Sequence, residues 1–193
     1  MAQVFDKDGV VCPVTIISVA QNVVTQVKTE EGKDGYNAVQ VGFGSRKEKN
    51  IKKPQIGHFK KLGNFSDTRE FYFDEKPTLN VGDKMTIEQF TAGDTVYVAS
   101  VSKGKGFQGV IKRHKFKGQP RSHGQKHSEH APGSIGGGLR TGPRKGMRMG
   151  GRMGADRVTV KNLKIVEVNK ELNQIVVSGA VPGRRGTVVE IVG

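Results

Sequence analysis

Tryptophan is absent from this 193-residue chain, and cysteine occurs once, at Cys12. A single thiol cannot close a disulfide within the chain, so the fold rests on burial and hydrogen bonding. A lone thiol also fits a reducing compartment. Long apolar runs are missing too. No stretch approaches the roughly 20 residues that carry a helix across a bilayer. Neither an amphipathic basic helix nor a lipidation signal is there to hold the chain on a membrane surface. The first residues, Met1-Ala2-Gln3-Val4-Phe5-Asp6, carry no basic or apolar leader and read as strand. The expectation is a cytoplasmic protein with no membrane partner. Acids are also in short supply: 18 Asp and Glu face 32 Lys and Arg, a net charge of +14. Such an imbalance points to a polyanionic partner and says nothing about fold.

The acids are scarcest where the cations are densest. Residues 103–157 hold 14 Lys or Arg but only two acids, Glu129 and Asp156, so twelve of the fourteen net charges lie in 55 residues. The same segment carries 14 of the 27 glycines and four of the five histidines, with few large apolar side chains. It cannot bury enough surface to fold alone and is expected to order against a partner. The flanks differ. Val11–Ala20, Val23–Lys28, Ala38–Phe43, Arg69–Phe73, Lys84–Phe90, Thr95–Val101, Val158–Val168, Ile175–Ser178 and Thr187–Val192 are short and rich in β-branched residues. Turn signals such as Gly82-Asp83 and Gly93-Asp94 separate some of them, and residues 169–173 read as a hairpin loop. Only Pro54–Leu62 reads as a short helix. The layout is a β domain, barrel or sandwich, with a long basic excursion between two strands.

Three motifs suggest catalysis or cofactors, and each fails on context. Gly104-Lys105-Gly106-Phe107-Gln108-Gly109 matches a dinucleotide-binding pattern, and Glu129 lies about 20 residues on. That chemistry needs the glycines to open a helix and a parallel strand to follow, and neither is legible here. The glycines are better read as a turn that brings Lys103 and Lys105 close to phosphates. His114, His123, His127 and His130 lie amid lysines with no cysteine nearby, which argues against zinc and for contacts to phosphates or bases. Gly133-Ser134-Ile135-Gly136 lacks the first glycine of a nucleophile elbow, because Pro132 stands there. No P-loop and no carboxylate pair stands out. The reading is a binding protein without enzymatic activity, metal, cofactor or small-molecule substrate. An architectural nucleic-acid chaperone and a nucleotide-dependent oxidoreductase are the alternatives.

The densest cationic stretches are Lys112-Arg113-His114-Lys115 and residues 140–154. In the second, Met147, Met149 and Met153 add flexible apolar contact surface. Charge and motif mark Lys103, Lys105, Lys112, Arg113, Lys115 and Lys117 as phosphate clamps near the β domain. His123, His127, Arg140, Arg144, Arg148 and Arg152 are expected to serve deeper in the excursion, with His114, Arg121, Lys126, Lys145 and Arg157 completing the nucleic-acid-contacting set. Gly104, Gly106, Gly109, Gly133, Gly136, Gly150, Gly151 and Gly154 are expected to permit close backbone approach.

These residues also carry a resemblance. Ser102 to His114, Ser122-His123-Gly124, His130 to Gly136, Met149 to Gly154 and Gly179 to Gly183 resemble the signatures of bacterial large-subunit ribosomal protein three. So do Asp34-Gly35-Tyr36, Ala38 to Gly44 and Gly57 to Lys61, so the likeness runs along essentially the whole chain. It implies a mainly β protein with a closed barrel of the translation-protein type, a small α/β insertion and a long extended basic loop. On that pattern residues 1–50 begin the barrel, 51–80 form the insertion, and 81–115 are barrel strands. Residues 116–157 form the loop that penetrates ribosomal RNA, and 158–193 are the last barrel strands. The implied partners are large-subunit rRNA and neighbouring large-subunit proteins, in the cytoplasmic ribosome. The implied roles are nucleating subunit assembly and supporting the region near the peptidyl transferase centre. The loop near Pro143-Arg144 is one residue shorter than the pattern. Arg152 stands where some members carry a methylated glutamine, so a permanent cation replaces that modification.

Overall fold

The computed structural model describes residues 1–6, 9–59, 62–138 and 142–193. Its strands are β1 (Ala2–Phe5), β2 (Val11–Ser18), β3 (Asn22–Lys28), β4 (Ala38–Ser45), β5 (Phe65–Tyr72), β6 (Lys84–Met85), β7 (Thr95–Val101), β8 (Phe107–Gln108), β9 (Gly151–Arg152), β10 (Arg157–Asn169), β11 (Gln174–Ser178) and β12 (Val189–Val192). The helices are α1 (Lys53–Phe59) and α2 (Val110–His114). Two compact units result. The first comprises Met1–Val96, Leu163–Ala180 and Gly193; the second comprises Tyr97–Asn162 and Val181–Val192.

In the first unit β1 pairs antiparallel with β2, β2 with β11, and β11 with β10. Ile175, Val176 and Val177 of β11 are consecutive and all buried, as befits a strand covered on both faces. A second sheet has the order β5-β4-β3-β6. Val24, Val39 and Val41 form its buried cluster, with Val27, Phe71, Leu79 and Met85 packed against them. The pairing of β3 with β4 shifts register between Val24 and Gln26. The extra residue, Thr25, is buried, and its hydroxyl donates to the Gln40 carbonyl at 3.1 Å and to Gln40 Oε1 at 2.8 Å. The bulge therefore leaves no buried hydroxyl unsatisfied.

Helix α1 is held by aromatic packing. Its last residue, Phe59, is buried and meets Phe65 of β5 edge-to-face, with centroids 5.3 Å apart at 88°. Phe65 in turn lies on Gly42, where a Cβ would stand 2.7 Å from two ring carbons. The helix expected over 54–62 is thus found as Lys53–Phe59, while Lys60 and Lys61 lie outside the described residues.

The mainly β class agrees with the sequence reading. The closed barrel does not: among the described residues the sheets are open. β1 is bonded only to β2, and β5 and β6 are edges of the four-stranded sheet. Closure needs every strand paired on both sides, and β6 is only two residues long. The strand expected over Lys84–Phe90 shrinks to β6 because Ile87–Gln89 turns into a 3-10 helix that buries Ile87. The hairpin loop expected at 169–173 is present, with Asn169 paired to Gln174 and Asn169 Oδ1 accepting from the Leu172 amide at 3.0 Å.

A polar cluster ties β3 to β5 in the first unit. Lys28 Nζ lies 2.8 Å from Glu70 Oε1 and donates to the Tyr36 hydroxyl at 2.6 Å, and that hydroxyl donates to Glu70 at 3.0 Å. The Lys28 hydrogen bond holds the Glu70 carboxyl below its usual range, and the Glu70 bond raises Lys28. A depressed carboxyl contributes stability above its unfolded pKa of about 4.3 and loses it as pH falls through the lower folded value.

Two outcomes are expected. Gly42→Ala lowers unfolding stability by about 1–3 kcal/mol through the clash with Phe65, read as a shift in denaturation midpoint. Glu70→Gln is less stable than the parent near neutral pH, and the gap narrows from about pH 5 downward in equilibrium unfolding.

Candidate nucleic-acid interface

The basic excursion lies wholly in the second unit, and its two ends are clasped together. The Ser102 amide donates to the Asp156 carbonyl at 2.9 Å, and the Ala155 amide donates back to the Ser102 carbonyl at 3.2 Å. Ser102 Oγ also accepts from the Asp156 amide at 3.2 Å. Further along, the Lys105 amide donates to Met153 at 2.9 Å and the Met153 amide to Gly106 at 3.0 Å. The ladder ends in the β8–β9 pair, with Phe107 opposite Arg152 and Gln108 opposite Gly151. The sequence dictates this tight pairing at Gly154, where φ is +79° and a Cβ would stand 2.1 Å from the Lys103 carbonyl oxygen. Only glycine fits there.

Just beyond the clasp the chain forms α2, capped at its C-terminus by Lys115 in the left-handed conformation, φ 58°. Val110 of α2 is the only buried residue among the described residues of 103–157. Two side chains at the helix end converge on one backbone oxygen. Arg113 Nη1 donates to the Met149 carbonyl at 2.8 Å, and His114 Nε2 lies 3.1 Å from the same atom. The end of the excursion is thereby tied to its beginning. Between Lys115 and Gly150 the described residues form turns and bends without regular secondary structure. Arg121 pairs with Glu129, whose carbonyl accepts from the Gln119 amide at 3.0 Å.

The seventeen expected contact residues now divide. Arg140 lies outside the described residues. Five have internal partners: Arg113 and His114 on Met149, Arg121 on Glu129, Arg152 on the Ala155 carbonyl at 3.4 Å, and Arg157 on Glu190 at 2.5 Å. The Glu190 hydrogen bond raises Arg157 further above its usual value. The other eleven are Lys103, Lys105, Lys112, Lys115, Lys117, His123, Lys126, His127, Arg144, Lys145 and Arg148. Their side chains have no hydrogen bond or ion pair among the described residues, and all eleven are exposed. At Gly104, Gly106, Gly109 and Gly136 an added Cβ would meet nothing within 4 Å, so no neighbour among the described residues crowds them.

The sequence reading missed several features. A helix does follow the glycine motif, although only five residues long; Gly109 is its N-cap and the left-handed Lys115 stops it. The strand that precedes it, β8, is antiparallel to β9, which is not the parallel arrangement a dinucleotide fold requires. Among the described residues no three His, Cys, Asp or Glu groups converge on a metal position. None of the described helices is long and apolar enough to cross a membrane. The Met149 carbonyl had no sequence signal at all. Arg46, Lys47, Lys49, Lys52 and Lys53 form a second exposed cationic run in the first unit, with Glu48 its only acid and without ion pairs among the described residues. A charge count over the whole flank averages it away, whereas an eight-residue window would have found it.

Gly154→Ala is expected to open the clasp. Amide exchange at Lys105 and Met153 should accelerate about tenfold, which corresponds to roughly 1.4 kcal/mol of strain. Unchanged protection at both amides would show that the clasp tolerates the extra carbon.

Comparison with known proteins matches this arrangement to one family. A sequence model described as Ribosomal protein L3 matches residues 45–181, a span that includes the clasp and the whole excursion. The large ribosomal subunit protein uL3 of Finegoldia magna is 46% identical over 193 residues, covering 99% of this chain and 92% of that protein. The uL3 protein of Alkaliphilus metalliredigens is 47% identical, covering 98% and 91%, and that of Pelobacter propionicus is 47% identical, covering 99% and 92%. With identity of this level over nearly its full length, the chain belongs to the ribosomal protein L3 family.

Proposed function

We propose that this protein is a structural, non-enzymatic constituent of the large ribosomal subunit that binds its RNA through the clasped basic excursion. The carrying observation is the set of eleven exposed cations and histidines with no partner among the described residues, mounted on a segment whose ends are held by backbone hydrogen bonds. Unpaired cations at this density repel one another. A phosphate backbone relieves that repulsion and releases its own counterions on binding. The second unit's excursion, residues 116–157, is the element that threads into RNA, and the β-rich flanks anchor it. Through the RNA it orders, the loop supports the region near the peptidyl transferase centre and helps nucleate subunit assembly. Neighbouring large-subunit proteins are its other partners, in the cytoplasmic ribosome.

The internal pairs divide the cations into two functional groups. Lys112, Lys115 and Lys117 are available to phosphates, whereas Arg157 is already held by Glu190. Each phosphate contact adds about 0.7–0.9 to the slope of log affinity against log salt. Replacing the three lysines by glutamine should therefore lower the slope for large-subunit RNA by about 2–3, while Arg157→Gln leaves it near the parent value. An unchanged slope in the triple variant would refute the assignment of these lysines as phosphate contacts. Sedimentation of cell lysate at moderate salt should place the protein with the large subunit; a protein that sediments free, or on any RNA alike, is a general nucleic-acid chaperone instead.

A further inference from the structure

The second unit presents an aromatic ring to solvent where burial would be expected. Phe107 of β8 is 79% exposed, more than any other large hydrophobic residue among those described. Its backbone is fixed by the β8–β9 pair and the flanking Met153–Gly106 hydrogen bond, so the exposure is not that of a fraying end. The ring leans on backbone. A Cβ at Gly150 would stand 3.3 Å from Phe107 Cε1 and 3.4 Å from Cζ, so glycine at 150 gives the ring a close seat. Cross-strand register sets Arg152 directly opposite Phe107, which places both side chains on the same face of the ribbon. Lys103 and Lys105 lie just upstream in sequence, and β8 and β9 contain no acid. The other aromatic residue of the basic segment, Phe116, is half-buried, with its centroid 6.1 Å from the His114 ring.

We propose that Phe107 is a stacking platform for one unpaired base of the bound RNA, with the upstream lysines and the guanidinium nitrogens of Arg152 other than the Nη2 that meets Ala155 holding the phosphates on either side of that nucleotide. The proposal rests on the RNA-binding reading and deepens it. One exposed ring opposite Arg152, with Met149 the only other exposed large hydrophobic in β8, β9 and the two residues on either side of each, offers less apolar area than a protein-docking surface needs to exclude water. It does suit an unpaired nucleotide, which offers a flat π face for the ring and charge for the cations. A base in a continuous duplex has no free face, so the site selects a looped or bulged nucleotide.

The absence of tryptophan makes this directly measurable. Phe107→Trp places a single indole at the platform, and stacking on a base quenches its emission. Titration with large-subunit RNA should quench the indole along the same isotherm as filter retention, and a plain duplex of equal length should not. Phe107→Leu keeps an apolar side chain without a π face, and should weaken affinity about 5- to 100-fold. Phe107→Tyr should retain it. Amide exchange at Met153 checks that the ribbon persists in each variant. RNA binding by Phe107→Trp without quenching, or parental affinity in Phe107→Leu, overturns the platform and leaves the RNA-binding reading intact. If the parent protein does not bind large-subunit RNA, the wider reading falls and the platform with it.

Discussion

The antiparallel clasp between residues 102–108 and 151–156 is the constraint on which the functional part of this protein depends. The excursion it closes has one buried residue, Val110, and no regular secondary structure between Lys115 and Gly150 among the described residues. Nothing in its own packing could hold its ends together. Backbone hydrogen bonds from Ser102, Lys105, Met153, Ala155 and Asp156 do so, and Arg113 and His114 add a side-chain tie to Met149. Closing a loop costs little more as it lengthens, about 0.6 kcal/mol per doubling. A firm closure can therefore carry a long excursion. The price is paid at Gly154, where only a residue without a Cβ permits the approach to Lys103.

Electrostatics distinguishes the cations of the excursion from those of the first unit. Of its two acids, Glu129 is engaged by Arg121, and Asp156 joins the clasp through its backbone. Two acids cannot match fourteen cations, and Lys112, Lys115, Lys117, Lys126, Arg144, Lys145 and Arg148 have no ion pair among the described residues. The first unit shows the contrasting case: Lys28 is matched by Glu70 and Tyr36 in a compact hydrogen-bonded group, and the charge serves the fold. Both kinds of lysine occur in one chain. Whether an acid lies within reach separates the paired lysine from the unpaired one.

Much of the β architecture was legible because β-branched residues cluster between turn signals. β2, β3, β4, β7, β10 and β11 fall where Val, Ile and Thr runs suggested them. The errors have local causes. The strand expected from Lys84 stops at Met85 because Ile87 is buried by a 3-10 turn rather than by a ladder. β5 starts at Phe65, ahead of the apolar run, because Phe65 is drawn in by Gly42 and Phe59. α2 was invisible because five residues carry no period; it runs from its N-cap Gly109 to the left-handed Lys115 and buries Val110. Sheet closure was expected from resemblance and not from any run of residues. The described strands leave β1, β5 and β6 at open edges.

Composition alone pointed to a polyanionic partner, because fourteen cations against two acids cannot neutralise themselves at any conformation of a 55-residue segment. It also determined that the segment is an internal loop, because strand-forming runs stand on both sides of it. Only the tertiary structure decided which cations are left for a partner. Arg157 finds Glu190, and Arg121 finds Glu129, through contacts set by pairing and turns that charge counting does not register. Likewise, Phe107 looked like one apolar residue in a glycine-rich motif. Register with Arg152 and the close approach of Gly150 made it a ring held open to solvent, because side-chain exposure is a property of strand pairing and not of residue type.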